Sequence, residues 1–150
     1  MIFQMQEGYL TFAQGAWQDR SVHMLAADHL PVKGTNMVVT REVLPAGVCF
    51  DNYVGNQKSF LAKELSSFTL IGDKADSIDA LPAHYLEFTW KNQGTSMHQI
   101  VMVLDNDRSI LNLTATVPGT IDETTRDELY AVMKSFTPGS PPAGWKSTTK

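Results

Sequence analysis

Between His84 and Val117 the chain alternates in steps of two through three successive runs, with a polar turn after each of the first two. In His84–Lys91, Leu86, Phe88 and Trp90 fall on one side and Tyr85, Glu87 and Thr89 on the other. In Ser96–Leu104, Met97, Gln99, Val101 and Val103 oppose His98, Ile100, Met102 and Leu104. Ile110–Val117 is the third run, closed by Pro118-Gly119. A period of two predicts strands. Asn92-Gln93-Gly94 and Asp105-Asn106-Asp107-Arg108 supply the hairpin turns, so the three runs form a meander.

Upstream, Phe3–Phe12 reads as two short strands bent at Glu7-Gly8. Val22–Leu25 and Thr35–Arg41 read as neighbouring antiparallel strands, the second rich in β-branched residues, with a loop at Asp28–Gly34. Pro45-Ala46-Gly47 introduces a helix over about Phe50–Ser66, where Phe50, Val54, Gln57, Leu61 and Leu65 recur at helical spacing. Gly55 weakens that helix by about 1 kcal/mol relative to alanine. Phe68–Ile71 is a short strand and Gly72–Ser77 a polar turn or loop. A second helix runs from Ile121 to Phe136, with Thr120 and Glu123 as a capping box and Leu129, Val132, Met133 and Phe136 as its buried stripe.

The elements sum to an α+β domain: an antiparallel sheet of about six strands with two main helices. One domain over 1–137 is expected, followed by a flexible Pro/Gly-rich tail, 138–150. Composition narrows the function classes. A net charge of −4 with no basic run argues against nucleic-acid and anionic-membrane partners. The single cysteine, Cys49, forbids an internal disulfide and suits a reducing compartment. The N-terminus lacks a signal-peptide pattern and no apolar run is long enough to span a bilayer, so a cytoplasmic location without membrane insertion is expected.

Nothing in the chain spells a catalytic centre. His23, His29, His84 and His98 lack metal-ligand spacing, and no Cys-x-x-Cys, His-Glu-x-x-His or phosphate-loop glycine pattern occurs. Cys49 stands at a helix start, where a thiol can be activated, yet catalysis would also require a histidine and a third group beside it. The expectation is a protein that is not an enzyme, with no catalytic residue, no metal site and no cofactor.

The remaining signal is apolar surplus. A sheet wet on one face alternates cleanly, whereas Ser96–Leu104 and Val22–Leu25 carry apolar residues on both sides. Two helices cover little more than one face, so loops, a second subunit or a ligand must cover part of the other. Gln57 and Gln99, long amides in apolar sets, either bond a neighbouring backbone group or offer hydrogen bonds within a groove.

Glu7-Gly8-Tyr9-Leu10-Thr11-Phe12 followed by Trp17-Gln18-Asp19-Arg20-Ser21-Val22 resembles the start of the Eag-type chaperones of type VI secretion effectors. Val38-Val39-Thr40-Arg41-Glu42, Phe50-Asp51-Asn52-Tyr53-Val54 with Gln57, Phe88-Thr89-Trp90 and Gln99-Ile100-Val101 follow in the same order. The resemblance covers most of Met1 to about Pro138 and implies the DcrB-like group with a Mog1/PsbP-like fold. It also implies a cytoplasmic homodimer that shields the N-terminal transmembrane helices of a PAAR-domain effector and meets the secretion spike protein only indirectly. The groove so implied takes Val22, Met24, Val39, Gln57, Leu61, Leu65, Met97, Gln99 and Val101; Met37 joins them by strand alternation. His23 and Cys49 depart from the family pattern, which would have asparagine and a small polar helix cap. Two other readings stay open: a small apolar-ligand-binding protein, and an accessory dimerisation subunit of a larger assembly.

Overall fold

The structure, a computed structural model, describes residues 1–139 and 143; most of the expected tail, 138–150, lies outside them. A hairpin of β1 (Ile2–Gln4) and β2 (Tyr9–Thr11) precedes a six-stranded sheet made by β3 (His23–Ala26), β4 (Asn36–Val43), β5 (Thr69–Ile78), β6 (Leu81–Asn92), β7 (Thr95–Asn106) and β8 (Ser109–Pro118). Helix α1 (Phe50–Glu64) links β4 to β5, and α2 (Glu123–Lys134) follows β8. The strand order is β3-β4-β8-β7-β6-β5, antiparallel throughout. The expected α+β architecture holds, with the helices on opposite faces.

The meander forms because its turns accept a left-handed backbone: Gln93 and Gly94 have φ of 51° and 84°, and Asp107 and Arg108 have 52° and 67°. Both faces of the central strands are then filled. Met37, Ile100, Met102, Leu104, Ala115 and Val117 pack under α2 with Leu129 and Met133. Val103 and Ile110 pack with Leu44 and with Tyr53 and Val54 of α1 on the other face.

Three local expectations change. Gly72–Ser77 is not a loop but the middle of β5, and the turn lies at Asp79 and Ala80, whose φ values are 50° and 66°. Its polarity has a physical cause: β5 is a sheet edge, exposed along most of its length, and its register shifts between Leu70 and Gly72. A side chain at Gly72 would meet Tyr85 and the Glu87 Cβ at 3.2 and 3.3 Å, so glycine eases the close approach at that irregularity. Helix α2 is capped not by Thr120 but by Asp122, which accepts a hydrogen bond from the Thr125 N–H at 2.7 Å. Val132 is 51% exposed, leaving Leu129, Met133 and Thr125 as the buried face. Asp122→Ala should lower stability, read as a fall in the urea midpoint.

The N-terminal hairpin stands apart from the main sheet. The β1–β2 hairpin pairs only with itself. It closes on Trp17, whose ring lies 4.5 Å from that of Phe12 and whose Nε1 donates to the Gln14 carbonyl at 2.9 Å.

Candidate functional site

The α1 face of the sheet carries an open trough of about 240 Å³. Its lining comes from four strands and the helix: Thr40 of β4; Asn112 and Thr114 of β8; Gln99, Val101 and Val103 of β7; Leu86 and Phe88 of β6; and Gln57 and Leu61 of α1. Strand register explains the set. Thr40 pairs with Asn112, Asn112 with Val103, Thr114 with Val101, Val101 with Leu86 and Gln99 with Phe88, so these side chains share one face. Leu86, Phe88 and Val103 are each only 1% exposed, forming a floor beneath α1, while the half-buried Thr40, Asn112, Thr114 and Gln99 form a polar border.

Four of the residues expected from sequence, Gln57, Leu61, Gln99 and Val101, therefore meet in this trough. Met24 lies on the same face on the next strand out, opposite Val38, and is 70% exposed; Val22, just before β3, is 56% exposed. Met97 pairs with Trp90 and Pro118 at the far end of β7, half-buried. Leu65 is the C-terminal cap of α1, half-buried and outside the lining.

Met37 and Val39 do not belong with these residues. They pair with Ala115 and Leu113, on the face beneath α2, where Met37 is 8% exposed and Val39 packs against the same core. The correction follows from the period of two: on β4 it is Val38 and Thr40, not Met37 and Val39, that share a face with Met24. Sequence reasoning also missed Thr40, Asn112 and Thr114. The alternation of Asn112, Thr114 and Thr116 along β8 held the signal, but assigning it to a face required the register.

The two amides differ. Gln99 is engaged at both ends, its Oε1 accepting from Trp90 Nε1 at 2.6 Å and its Nε2 donating to Thr116 Oγ1 at 2.8 Å. It braces β6, β7 and β8. Gln57 borders the trough, and its amide makes no side-chain hydrogen bond among the described residues.

On the opposite face lies the most charged buried cluster. Glu87, 3% exposed, accepts hydrogen bonds from Tyr85 Oη at 2.6 Å and from Arg126 Nε and Nη2 at 2.9 and 2.7 Å. His98 Nε2 lies 2.6 Å from the Glu87 carboxylate, and His98 Nδ1 accepts from the Ile121 N–H at 3.0 Å. The imidazole therefore donates to Glu87 through Nε2. Burial alone would raise the Glu87 carboxyl, but hydrogen bonds from Arg126, Tyr85 and His98 outweigh it and bring the pKa to about 2. Burial and the Glu87 contact push the Tyr85 hydroxyl up. Every buried side-chain polar atom among the described residues has a partner. The cluster braces α2 to β6 and β7, and Tyr85, Glu87 and Arg126 also line an open cavity of about 460 Å³ with Asp73, Lys74 and Tyr130.

The other candidates resolve simply. His29 lies beside Glu128, His84 beside Asp73, and His23 is exposed. Cys49 is exposed at the start of α1 and makes no capping hydrogen bond. Among the described residues no three histidine, cysteine, aspartate or glutamate side chains group to hold a metal, and no helix is long and apolar enough to cross a membrane.

A six-stranded antiparallel sheet with one helix on each face and a hairpin before it places the chain in the PsbP-like class of α+β folds. The sequence profile of the DcrB family matches residues 7–135, and the chain belongs to that family. It is similar in structure to PA94 of Pseudomonas aeruginosa, a protein of unknown function. The TM-score is 0.75 at 20% identity, over 94% of this chain and 98% of that one. It is also similar to the cyanobacterial PsbP of Synechocystis sp. PCC 6803, with a TM-score of 0.54 at 14% identity, over 83% and 96% of the two chains. LpqN of Mycobacterium tuberculosis, involved in cell envelope biogenesis, gives a TM-score of 0.52 at 16% identity, over 79% and 84%. At these identities the likeness concerns the fold. No curated protein sequence matches the chain with significance.

Proposed function

We propose that this chain is a cytoplasmic, homodimeric chaperone that shields the N-terminal transmembrane helices of a PAAR-containing effector until the effector loads onto the type VI secretion spike. The observation carrying the proposal is the trough between α1 and the sheet, which brings Gln57, Leu61, Gln99 and Val101 together over an apolar floor. Membership of the DcrB family and the resemblance of the Trp17–Val22 segment to Eag-type chaperones support the same reading.

The physics of such a guest is demanding. A membrane helix has roughly 20 apolar residues, and leaving each large side chain in water costs about 1.5–3 kcal/mol, so exposure amounts to tens of kcal/mol. An apolar floor offsets that cost, and a free amide such as Gln57 supplies the kind of hydrogen bond that neighbouring membrane helices exchange. The protein acts by solvating its guest and performs no chemistry. Exposed Val22 and Met24 extend the apolar surface on the trough side of the sheet available to the guest or to a second copy of the chain.

Co-expression with the N-terminal fragment of the neighbouring effector tests the proposal. The fragment is expected to be insoluble alone and to copurify when this protein is present. A fragment that stays soluble by itself, or never copurifies, defeats the reading; a bound metabolite in native mass spectrometry would point instead to a small-ligand carrier.

A further inference from the structure

Helix α1 is held to the sheet unevenly. Its only buried residues are Tyr53 and Val54, near its N-terminus. From Gly55 to Glu64 no residue is buried. Among the described residues, one side-chain hydrogen bond ties that stretch to the sheet, from Lys58 Nζ to Asp73 Oδ2 at 2.8 Å. Asp73 is oriented in turn by His84 Nε2, 2.5 Å from its other oxygen. Beyond the helix, the Lys91 N–H donates to the Ser66 carbonyl and the Phe68 ring lies 5.3 Å from that of Phe88. The helix is thus a beam fixed at its ends and strutted once between them.

Beneath the beam lie Leu86 and Phe88, the apolar side chains a greasy guest would seek, each 1% exposed. The trough as it stands holds about 240 Å³. A 20-residue helix is about 30 Å long and 10 Å across, far too large for that space. Seating one requires the middle of α1 to lift.

We propose that the Lys58–Asp73 pair is a latch, with Asp73 as the positioning residue that holds α1 down over the apolar floor until a guest helix displaces it. The identity of the guest rests on the chaperone reading; the latch itself does not. The pair suits the task. Its side chains are 35% and 30% exposed, and an ion pair of that kind contributes at most about 1 kcal/mol, or up to about fivefold in an opening equilibrium. That biases the trough towards closure without sealing it. The apolar floor stays hidden from water and from unrelated partners while the protein is empty.

Hydrogen exchange on the ligand-free protein tests the latch directly. In Asp73→Ala, amides of residues 58–64 should exchange about two- to fivefold faster than in the wild type, those of α2 should not change, and added salt should bring the wild type towards the variant. Lys58→Met should do the same, which guards against a folding defect peculiar to β5. Unchanged exchange in both variants, or equal acceleration in α1 and α2, overturns the latch. The second measurement uses a synthetic leucine–alanine helix with neutral solubilising ends. Its capture should be faster with Asp73→Ala, and should gain from salt only with the wild type. Slower capture by the variant, or capture indifferent to salt with the wild type, also overturns the latch. If neither protein captures the helix while exchange in α1 responds as expected, the latch stands and the chaperone reading fails.

Discussion

Glu87→Ala is expected to destabilise the protein by about 3–5 kcal/mol, the cost of breaking a buried charge cluster by removing one member. For a chain of this length that corresponds to a fall in melting temperature of about 10–15 °C. Three donors converge on this carboxylate from β6, β7 and α2, and its removal leaves the Tyr85 hydroxyl and the buried His98 Nε2–H without their acceptor. The Arg126 side chain is 34% exposed and can be rehydrated, so Arg126→Met should cost less than Glu87→Ala. Calorimetry of the two variants checks the order, and a loss under 1 kcal/mol for Glu87→Ala would refute the account.

The same cluster sets the acid limit. The Glu87 carboxyl titrates at about 2 in the folded chain against an ordinary value of 4.5. A lowered carboxyl pKa contributes stability above its unfolded value and loses it as pH falls towards its folded one. The contribution is therefore complete above about pH 5 and drains away between pH 4.5 and about 2. Asp76, lowered to about 2 by Lys134 and Tyr130 despite burial that would raise it, acts in the same sense from 3.8 downwards. Glu87→Ala should flatten the acid limb of the stability curve.

The second large effect concerns capture. On the proposed chaperone reading, Leu61→Glu places a carboxylate at the lip of the trough, against the apolar guest helix. A charge set against hydrocarbon costs about 2.5–3.5 kcal/mol on insertion scales, so affinity for the guest should drop on the order of 100-fold. Leu61 is half-buried, on the stretch of α1 that contributes nothing to the buried core, and the melting temperature should scarcely move. Gln57→Ala should weaken capture more modestly, by the net worth of one hydrogen bond, about 1 kcal/mol. Binding of the effector fragment by both variants at wild-type strength would place the docking surface elsewhere.

Sequence disclosed the frame of the molecule wherever pattern and turn chemistry agreed. The meander of β6, β7 and β8 was legible because each run alternates and each turn offers residues that tolerate positive φ. β5 was not, since an edge strand wet on both sides loses its alternation, and Asp73, Lys74 and Asp76 then read as loop. The trough was half legible. Gln57 and Gln99 stood out as amides among apolar neighbours, but the use of Gln99 as a brace depends on Trp90 and Thr116, which come from adjacent strands. Met37 and Val39 were misplaced because period two separates two faces without saying which helix covers each. Glu87 was visible as a polar residue in a buried run, yet its partner Arg126 lies 39 residues on, beyond any local pattern.

The two margins of the sheet are unlike. β5 is long, kinked by its register shift and studded with charge, features that discourage strand addition. β3 is only four residues long, with Met24 and Leu25 in the open. Sheet growth needs two receptive margins on every molecule, and this chain offers one. Packed at high concentration, two copies can pair once along β3 and go no further, which guards against fibre growth.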